Sequence, residues 1–266
     1  MTIAEQQRVE IEPGVVFGTG GGRDLKCDIY HPPAAVKNGL GVLLVHGGGW
    51  VQGDRSQLRG YGILLGRKGY TCVASEYRLV TESPWPACLH DVKTAIRWMR
   101  ANAERLGIDP AKIVIEGNSA GAHLVLMAAG TVGRPEFEGE GGNAGVDTSV
   151  AAVIAFYPPT ALGSRNWKTR IHPLFGQEAS AAQLAAASPL TYVGAGHPPA
   201  LFFHGNSDEL VPPAESTDMY EALLAANVPA ELHMYANQPH GFDSDPLLGR
   251  QCADIMALFI ERMVRG

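Results

Sequence analysis

Short apolar runs alternate with longer amphipathic stretches along this chain, a pattern typical of strands connected by helices. Eight runs are rich in apolar and β-branched residues and predict strands at residues 9–12, 25–30, 42–46, 71–75, 112–116, 150–156, 200–204 and 231–235. The first two runs are joined by a Gly-rich turn, and we expect them to form an antiparallel edge pair. The run at 42–46 is almost entirely apolar and is followed by glycines, as expected of a buried central strand.

Apolar positions at helical spacing fill most of the intervals between these runs. They predict helices at residues 57–68, 87–106, 120–129, 213–226 and 248–263. The sequence therefore predicts an α/β fold with a mostly parallel, eight-stranded sheet and helices on both faces. Residues 158–199 are rich in Pro, Ala and Gly, and a structureless loop of that length is unusual in a compact domain. We expect a small cap insertion with short helices there, within a single domain of residues 1–266.

Composition and charge exclude several classes of protein. Of the 266 residues 45% are hydrophobic and 18% charged, the formal charge is −6, and no basic face is visible, so nucleic acid is not an expected partner. No stretch reaches the ~20 apolar residues of a membrane span, and residues 1–10 lack the apolar core of a signal peptide, so a cytoplasmic location is expected. The four cysteines are widely spaced and indicate no disulfide framework. Cys27 and Cys72 lie in predicted strands and are expected to be buried free thiols.

A serine in the sequence GNSAG, at residues 117–121, follows a predicted strand and precedes a predicted helix. In that setting G-x-S-x-G forms a sharp turn that lifts the serine hydroxyl above the sheet, and its glycines allow strand and helix to approach closely. Ser119 is therefore the candidate nucleophile. A plain tight turn is the structural alternative for the same residues.

A glycine run at residues 46–50, HGGGW, directly follows another predicted strand. Acyl transfer develops a negative oxygen, and backbone amides exposed by glycines can bind it. Gly48 and Gly49, together with the amide of Ala120, are the expected oxyanion hole. The alternative of a phosphate-binding loop is disfavoured because neither G-K-[ST] nor G-x-G-x-x-G occurs here.

An acid and a base follow the last two predicted strands, at Asp208 and His240. A serine nucleophile needs a histidine to take its proton and a carboxylate to orient that histidine, and the order Ser, Asp, His fits this fold class. Asp243 and Asp245 are rival acids because they lie near His240 in sequence. His123 is a rival base, but one helical turn after the serine it is better placed for packing.

Two further residues are candidate supporting groups, and three are candidate pocket walls. His46 is expected to anchor its own loop, and Asp91 to lie on the surface or in the support of the long helix. The aromatic residues that could line a substrate pocket are Trp50, Tyr77 and Trp85, although aromatic side chains are as often part of a core.

Taken together, these motifs resemble the hormone-sensitive-lipase-like branch of the α/β-hydrolases and the related acetyl-xylan and feruloyl esterase-like enzymes. The resemblance extends from about Leu25 and rests on HGGGW, on YRL at 77–79, on residues 86–91, on GNSAG, on HGNSDELVP at 204–212 and on HGF at 240–242. It implies the α/β-hydrolase fold, the catalytic roles given above and no metal or organic cofactor. Asn118 departs from the branch, which usually has an acid at that position. Only 45 residues precede His46, so an open pocket suited to small esters is expected.

The expected activity is hydrolysis of short-chain or small carboxylic esters through an acyl-enzyme, by a monomer or homodimer acting on a small-molecule substrate. Arylformamidases share the HGGxW loop and a similar elbow, so amide hydrolysis is an open alternative. An acetyl-xylan or feruloyl esterase acting on plant-derived esters is another. A non-catalytic binding protein on this fold is disfavoured, because every member of the triad is present.

Overall fold

A single sheet of eight strands organises the computed structural model of the chain, which describes residues 8–163, 172–175 and 178–265. The order across the sheet is β1-β2-β4-β3-β5-β6-β7-β8. Pairing is antiparallel between β1 and β2 and between β2 and β4, and parallel elsewhere. The strands are β1 (Glu10–Gly20), β2 (Arg23–His31), β3 (Gly41–Val45), β4 (Thr71–Ser75), β5 (Ile113–Asn118), β6 (Ala152–Phe156), β7 (Ala200–Gly205) and β8 (Ala230–Tyr235). The predicted mostly parallel sheet and its antiparallel edge pair are confirmed.

The described helices connect these strands and follow the predicted segments closely. They are α1 (Arg59–Arg67), α2 (Ala87–Ala101), α3 (Ala103–Leu106), α4 (Ala120–Gly130), α5 (Pro135–Glu138), α6 (His172–Phe175), α7 (Ala181–Ala186), α8 (Ala214–Ala225) and α9 (Pro246–Ile260). Short 3₁₀ turns lie at Arg55–Leu58, Pro189–Tyr192 and Phe242–Ser244, and a π-helical turn at Glu261–Arg265 follows α9.

Most element boundaries lie within about three residues of the prediction, and two elements differ more. The first strand continues to Gly20 instead of ending at residue 12, because register shifts in β1 absorb the Pro-Gly pair that would otherwise end it. Gly14 there has φ +71°, and its amide donates to the Asp28 carboxylate at 2.8 Å. The long helix is interrupted at Asn102, where φ is −107° and the side-chain amide donates to the Trp98 carbonyl at 2.9 Å.

Alternate residues along the central strands enter two separate cores, because successive side chains of a strand point to opposite faces. Leu43 and Val45 pack with α2 and α4 on one face. Val42 and Leu44 pack with α1 and α9 on the other. The helices therefore cover both faces of the sheet, and the α/β fold class predicted from the sequence is confirmed.

All four cysteines are free and buried, which confirms the prediction for Cys27 and Cys72. Burial is the main cause that raises the pKa of each thiol, and for Cys27, Cys88 and Cys252 it reaches about 12. In the described ranges, no helix is long and apolar enough to cross a membrane.

The segment predicted as a cap contains short helical pieces where it is described. These are α6, α7 and the turn Pro189–Tyr192, and Ser180 begins α7 with a capping box to Gln183. Residues 164–171, 176 and 177 lie outside the described residues. The cap insertion as a unit stays a prediction.

Candidate active site

Ser119 occupies a strained turn between β5 and α4. Its backbone has φ 53° and ψ −114°, a conformation that is rare for a residue with a side chain. A Cβ on Gly121 would lie 2.0 Å from the carbonyl oxygen of Val45, and one on Gly117 would lie 2.4 Å from the backbone of Gly121. Both glycines are therefore required for the close approach of strand and helix that forms the elbow.

The side chains of Ser119, His240 and Asp208 form one continuous hydrogen-bonded chain. His240 Nε2 lies 2.9 Å from Ser119 Oγ, and His240 Nδ1 lies 2.6 Å from Asp208 Oδ2. The three residues follow β5, β7 and β8, whose carboxyl ends meet at one edge of the sheet because these strands are parallel. The structure thus brings together the three residues that the sequence singled out.

Several hydrogen bonds hold the Asp208 carboxylate in place. Its Oδ1 accepts from the amides of Leu210 and Val211, both at 2.8 Å. Burial alone would raise the pKa of Asp208, but hydrogen bonds from His204, His240 and the Val211 amide outweigh it, so the pKa is lowered. The carboxylate is therefore ionised at neutral pH, where it can hold the proton of His240 on Nδ1.

His204 is a supporting residue that the sequence reasoning did not assign. Its buried Nε2 donates to the carbonyl of Val211 at 3.0 Å and lies 3.3 Å from Asp208 Oδ2. Its Nδ1 lies 2.7 Å from the hydroxyl of Ser216. A histidine four residues before the candidate acid, at the end of a strand, was the sequence signal for this contact.

The rival acids have other partners. Asp243 accepts hydrogen bonds from Tyr61, Tyr157 and Asn118, and Asp245 caps α9 through the amides of Leu247 and Leu248. Asp91 is buried and forms an ion pair with Arg78 at 2.7 Å, a supporting position. In the described part of the chain, no group of three His, Cys, Asp or Glu residues is placed to hold a metal ion.

The rival histidines are also committed elsewhere. The indole N–H of Trp50 donates to His123 Nδ1 at 3.3 Å, so the ring proton lies on Nε2, which donates to the Ala187 carbonyl at 2.7 Å. Burial lowers the pKa of His123 to about 4, and the ring is neutral. His46 stacks on Tyr77 with ring centroids 4.2 Å apart, and burial likewise lowers its pKa.

The glycine loop after β3 lies beside Ser119. Gly48 has φ +118°, and a Cβ there would lie 2.0 Å from the carbonyl oxygen of Gln52, so a side chain does not fit. Gly49 has φ +60°. Ala120 is the first residue of α4, where backbone amides have no acceptor within the helix. The assignment of these three amides to an oxyanion hole stays a prediction.

A cavity of about 960 Å³ opens at Ser119 and His240, within the size range of small-molecule sites. Gly48 and Gly49 lie in its wall beside them. Its apolar walls come largely from the segment before and within α1 and from the loop after β7, with the side chains of Leu58, Tyr61, Ile63, Leu64 and Leu210.

The aromatic residues proposed as pocket walls do not line this cavity, and that prediction is wrong for it. Trp50 and Tyr77 are 3% and 1% exposed. Tyr77 packs on His46 and donates to its carbonyl at 3.1 Å, and Trp50 binds His123. Trp85 packs against the ring of His123, with centroids 5.4 Å apart. These side chains support the loops around the site from the core side, because their rings pack in or against the hydrophobic core.

A family model and a curated relative each match most of the chain. The BD-FAE family model matches residues 27–223. Esterase LipC of Mycobacterium tuberculosis is 32% identical over 245 residues, which are 85% of this chain and 59% of LipC. The chain spans less than two thirds of the length of the first curated relatives it matches.

Two solved structures of one thermophilic esterase superpose on nearly the whole chain. Thermogutta terrifontis esterase 2 with propionate bound is 30% identical and has a TM-score of 0.81, covering 99% of this chain and 96% of that one. The form phosphonylated by sarin is 28% identical and has a TM-score of 0.84, covering 97% and 96%. The chain therefore belongs to the BD-FAE family and has the α/β-hydrolase fold.

Proposed function

We propose that this chain is a serine carboxylesterase that hydrolyses small carboxylic esters. The observation that carries the proposal is the hydrogen-bonded chain from Ser119 through His240 to Asp208 at the wall of an apolar cavity. The matched relatives named as esterases support the same activity. No metal or organic cofactor enters the proposed mechanism.

In the first half of the proposed reaction, His240 Nε2 takes the proton of Ser119 Oγ as that oxygen attacks the ester carbonyl. The carbonyl oxygen becomes negative and receives hydrogen bonds from the amides of Gly48, Gly49 and Ala120. The bond to the alcohol then breaks, and His240 gives its proton to the leaving alkoxide. Alcohol and acyl-enzyme result.

In the second half, water attacks the acyl-enzyme and His240 takes its proton. Collapse of the intermediate releases the acid and returns the proton to Ser119 Oγ. Asp208 stays ionised throughout, stabilises the imidazolium and fixes the ring orientation. The lowered pKa of Asp208 supports this role, because the carboxylate keeps its charge at neutral pH.

A small acyl group is the proposed substrate preference. The related Thermogutta esterase has been solved with propionate bound, and the cavity beside Ser119 offers apolar walls for the rest of the ester. Acetyl-xylan, feruloyl and arylformamide substrates use the same triad chemistry, so they belong in the test panel. The cytoplasmic location and the monomeric or dimeric state stay predictions.

The test is a p-nitrophenyl ester series from acetate to palmitate, run with Ser119→Ala and the matched control Ser207→Ala. Ser207 is exposed, and its hydroxyl lies 3.3 Å from the Asn206 side chain. We expect rates that fall with longer acyl chains, a loss of at least about 10³-fold in Ser119→Ala and near-normal rates in Ser207→Ala. Equal loss in both variants would refute the nucleophile. Negligible rates on all esters beside turnover of an aryl formamide would replace the ester with an amide substrate.

A further inference from the structure

Asp243 is half-buried in the wall of the cavity and is the centre of a hydrogen-bond network that reaches the triad by a second route. Its Oδ1 accepts from the hydroxyl of Tyr157 at 2.6 Å. Its Oδ2 accepts from the hydroxyl of Tyr61 at 3.0 Å and from the side-chain amide of Asn118 at 2.9 Å. The same amide donates to the Tyr157 hydroxyl at 2.9 Å. Tyr157 is therefore held at its hydroxyl by one acceptor and one donor.

Tyr157 packs directly on the histidine of the triad. The two ring centroids are 4.4 Å apart, and the planes meet at 57°. Tyr157 is 5% exposed, and its backbone has φ +39°, in a region that bulky residues seldom adopt. Such a conformation persists only where surrounding contacts over-determine it. Three hydrogen bonds provide them: the backbone N–H of Tyr157 donates to the carbonyl of Phe203 at 2.7 Å, and its hydroxyl makes the two contacts described above.

Asp208 fixes His240 through Nδ1 alone, and the other ring contact, from Nε2 to Ser119, is lost once that serine is acylated. The one remaining hydrogen bond then lets the ring swing about Nδ1. A fixed aromatic face against the ring removes this freedom. We propose that Tyr157 is a positioning residue for His240, and that Asn118 and Asp243 act as a matched amide–carboxylate pair that holds Tyr157 in place. The catalytic part of this inference rests on the proposed esterase function.

The pair also gives a physical meaning to Asn118, where an acid was expected from the resemblance. A carboxylate at position 118 would lie about 3 Å from that of Asp243, and two like charges at that distance repel. An amide instead donates to the Asp243 carboxylate and to the Tyr157 hydroxyl. The residue types at 118 and 243 are therefore coupled, and exchanging them keeps one donor and one acceptor in the contact.

The first test removes the hydroxyl of Tyr157 while keeping its ring. In Tyr157→Phe we expect kcat to fall about 10-fold with KM changed less than about 3-fold, because a misplaced base slows chemistry more than binding. Tyr70→Phe is the matched control, since it removes another buried tyrosine hydroxyl that contacts Ala257 and Glu261 away from the site. It should lower thermal stability and leave kcat unchanged. A kcat loss of the same size in both variants would overturn the proposal.

The second test exchanges the pair. Asn118→Asp and Asp243→Asn should each lower kcat about 10-fold, and the double variant should recover to within about 3-fold of the wild type. Rescue distinguishes positioning from loss of packing, because the double variant contains both substitutions. A double variant no faster than the slower single variant would overturn the pairing.

A third measurement does not depend on turnover. The proton on His240 Nδ1, in its 2.6 Å hydrogen bond to Asp208, should give a downfield ¹H NMR signal that persists in Tyr70→Phe and broadens in Tyr157→Phe. This change in an enzyme without ester turnover would uphold the positioning role and reject the esterase function. An unchanged signal with normal turnover in Tyr157→Phe would reject the positioning role alone.

Discussion

Replacing Glu116 with glutamine should stabilise the folded chain at neutral pH. Glu116 lies in β5, is completely buried, and neither carboxyl oxygen has a hydrogen-bond partner among the described residues. Burial is the main cause that raises its pKa well above the ordinary 4.5, and the charge of Asp243 adds to it. The folded protein therefore keeps a proton on Glu116 at pH values where the unfolded chain has released it.

The size of the effect follows from this difference in bound protons. Below the unfolded pKa both states hold the proton and the cost is absent. Above it, the folded state binds one more proton, so the free energy of unfolding falls by about 1.4 kcal/mol per pH unit until the folded pKa is passed. Glutamine is neutral in both states and removes this loss. For a chain of this length, each 1.4 kcal/mol corresponds to about 3 °C in Tm.

The assay is urea and thermal unfolding of wild type and Glu116→Gln between about pH 5 and about pH 8, where the stability gap should widen as the pH rises. Glu215→Gln is the contrasting variant, because the buried Glu215 accepts from the amides of Thr160 and Ala161, both at 2.7 Å. Both amides donate to Oε2, so a glutamine can accept them through its carbonyl oxygen, and the substitution should cost about 1–3 kcal/mol because hydrogen bonds to a carboxylate are stronger than those to an amide oxygen. A gap for Glu116→Gln that does not change with pH would refute the reasoning.

Three further substitutions test other parts of the site. Gly121→Ala should abolish activity and lower Tm, because its Cβ would lie 2.0 Å from a backbone carbonyl of β3; normal activity would contradict the elbow geometry. His123→Leu should lower kcat, because it removes the hydrogen bonds to Trp50 and Ala187 behind the glycine loop; ester kinetics would check this, and an unchanged kcat would separate that contact from catalysis. Asp208→Asn should lower kcat by about 10³–10⁴-fold with little change in fold, measured by ester kinetics beside circular dichroism; a loss below about 10-fold would contradict its role.

In wild type, the stability that Asp208 contributes is present above the ordinary pKa of about 3.9 and is lost as the pH falls below it, because its folded pKa is lowered.

The sheet and the triad positions could be predicted because each depends on a local pattern. Apolar runs give strands, and Ser119, Asp208 and His240 each follow the end of one, so a parallel sheet gathers them at one edge. The glycine run after the strand at 41–45 supplied the oxyanion-hole candidates Gly48 and Gly49.

Contacts between distant segments could not be predicted in the same way. Trp50 is of a residue type that often lines pockets, yet its indole donates a hydrogen bond to the buried His123. The sequence could not predict this, because residue type does not tell which side of a loop a ring faces. Asp243 is a rival acid by its nearness to His240 in sequence. Its actual partners come from α1, β5 and the turn after β6, and no local sequence pattern predicts contacts between such distant segments.

The burial of every thiol has a practical consequence for work with this protein. Reagents such as maleimides and iodoacetamide react with exposed thiolates, and each of the four sulfurs is enclosed in the folded chain and has a raised pKa. The native chain should therefore take up little label until it unfolds. A single cysteine introduced on the surface could then carry a spectroscopic probe at one known place, with no need to remove the natural ones first.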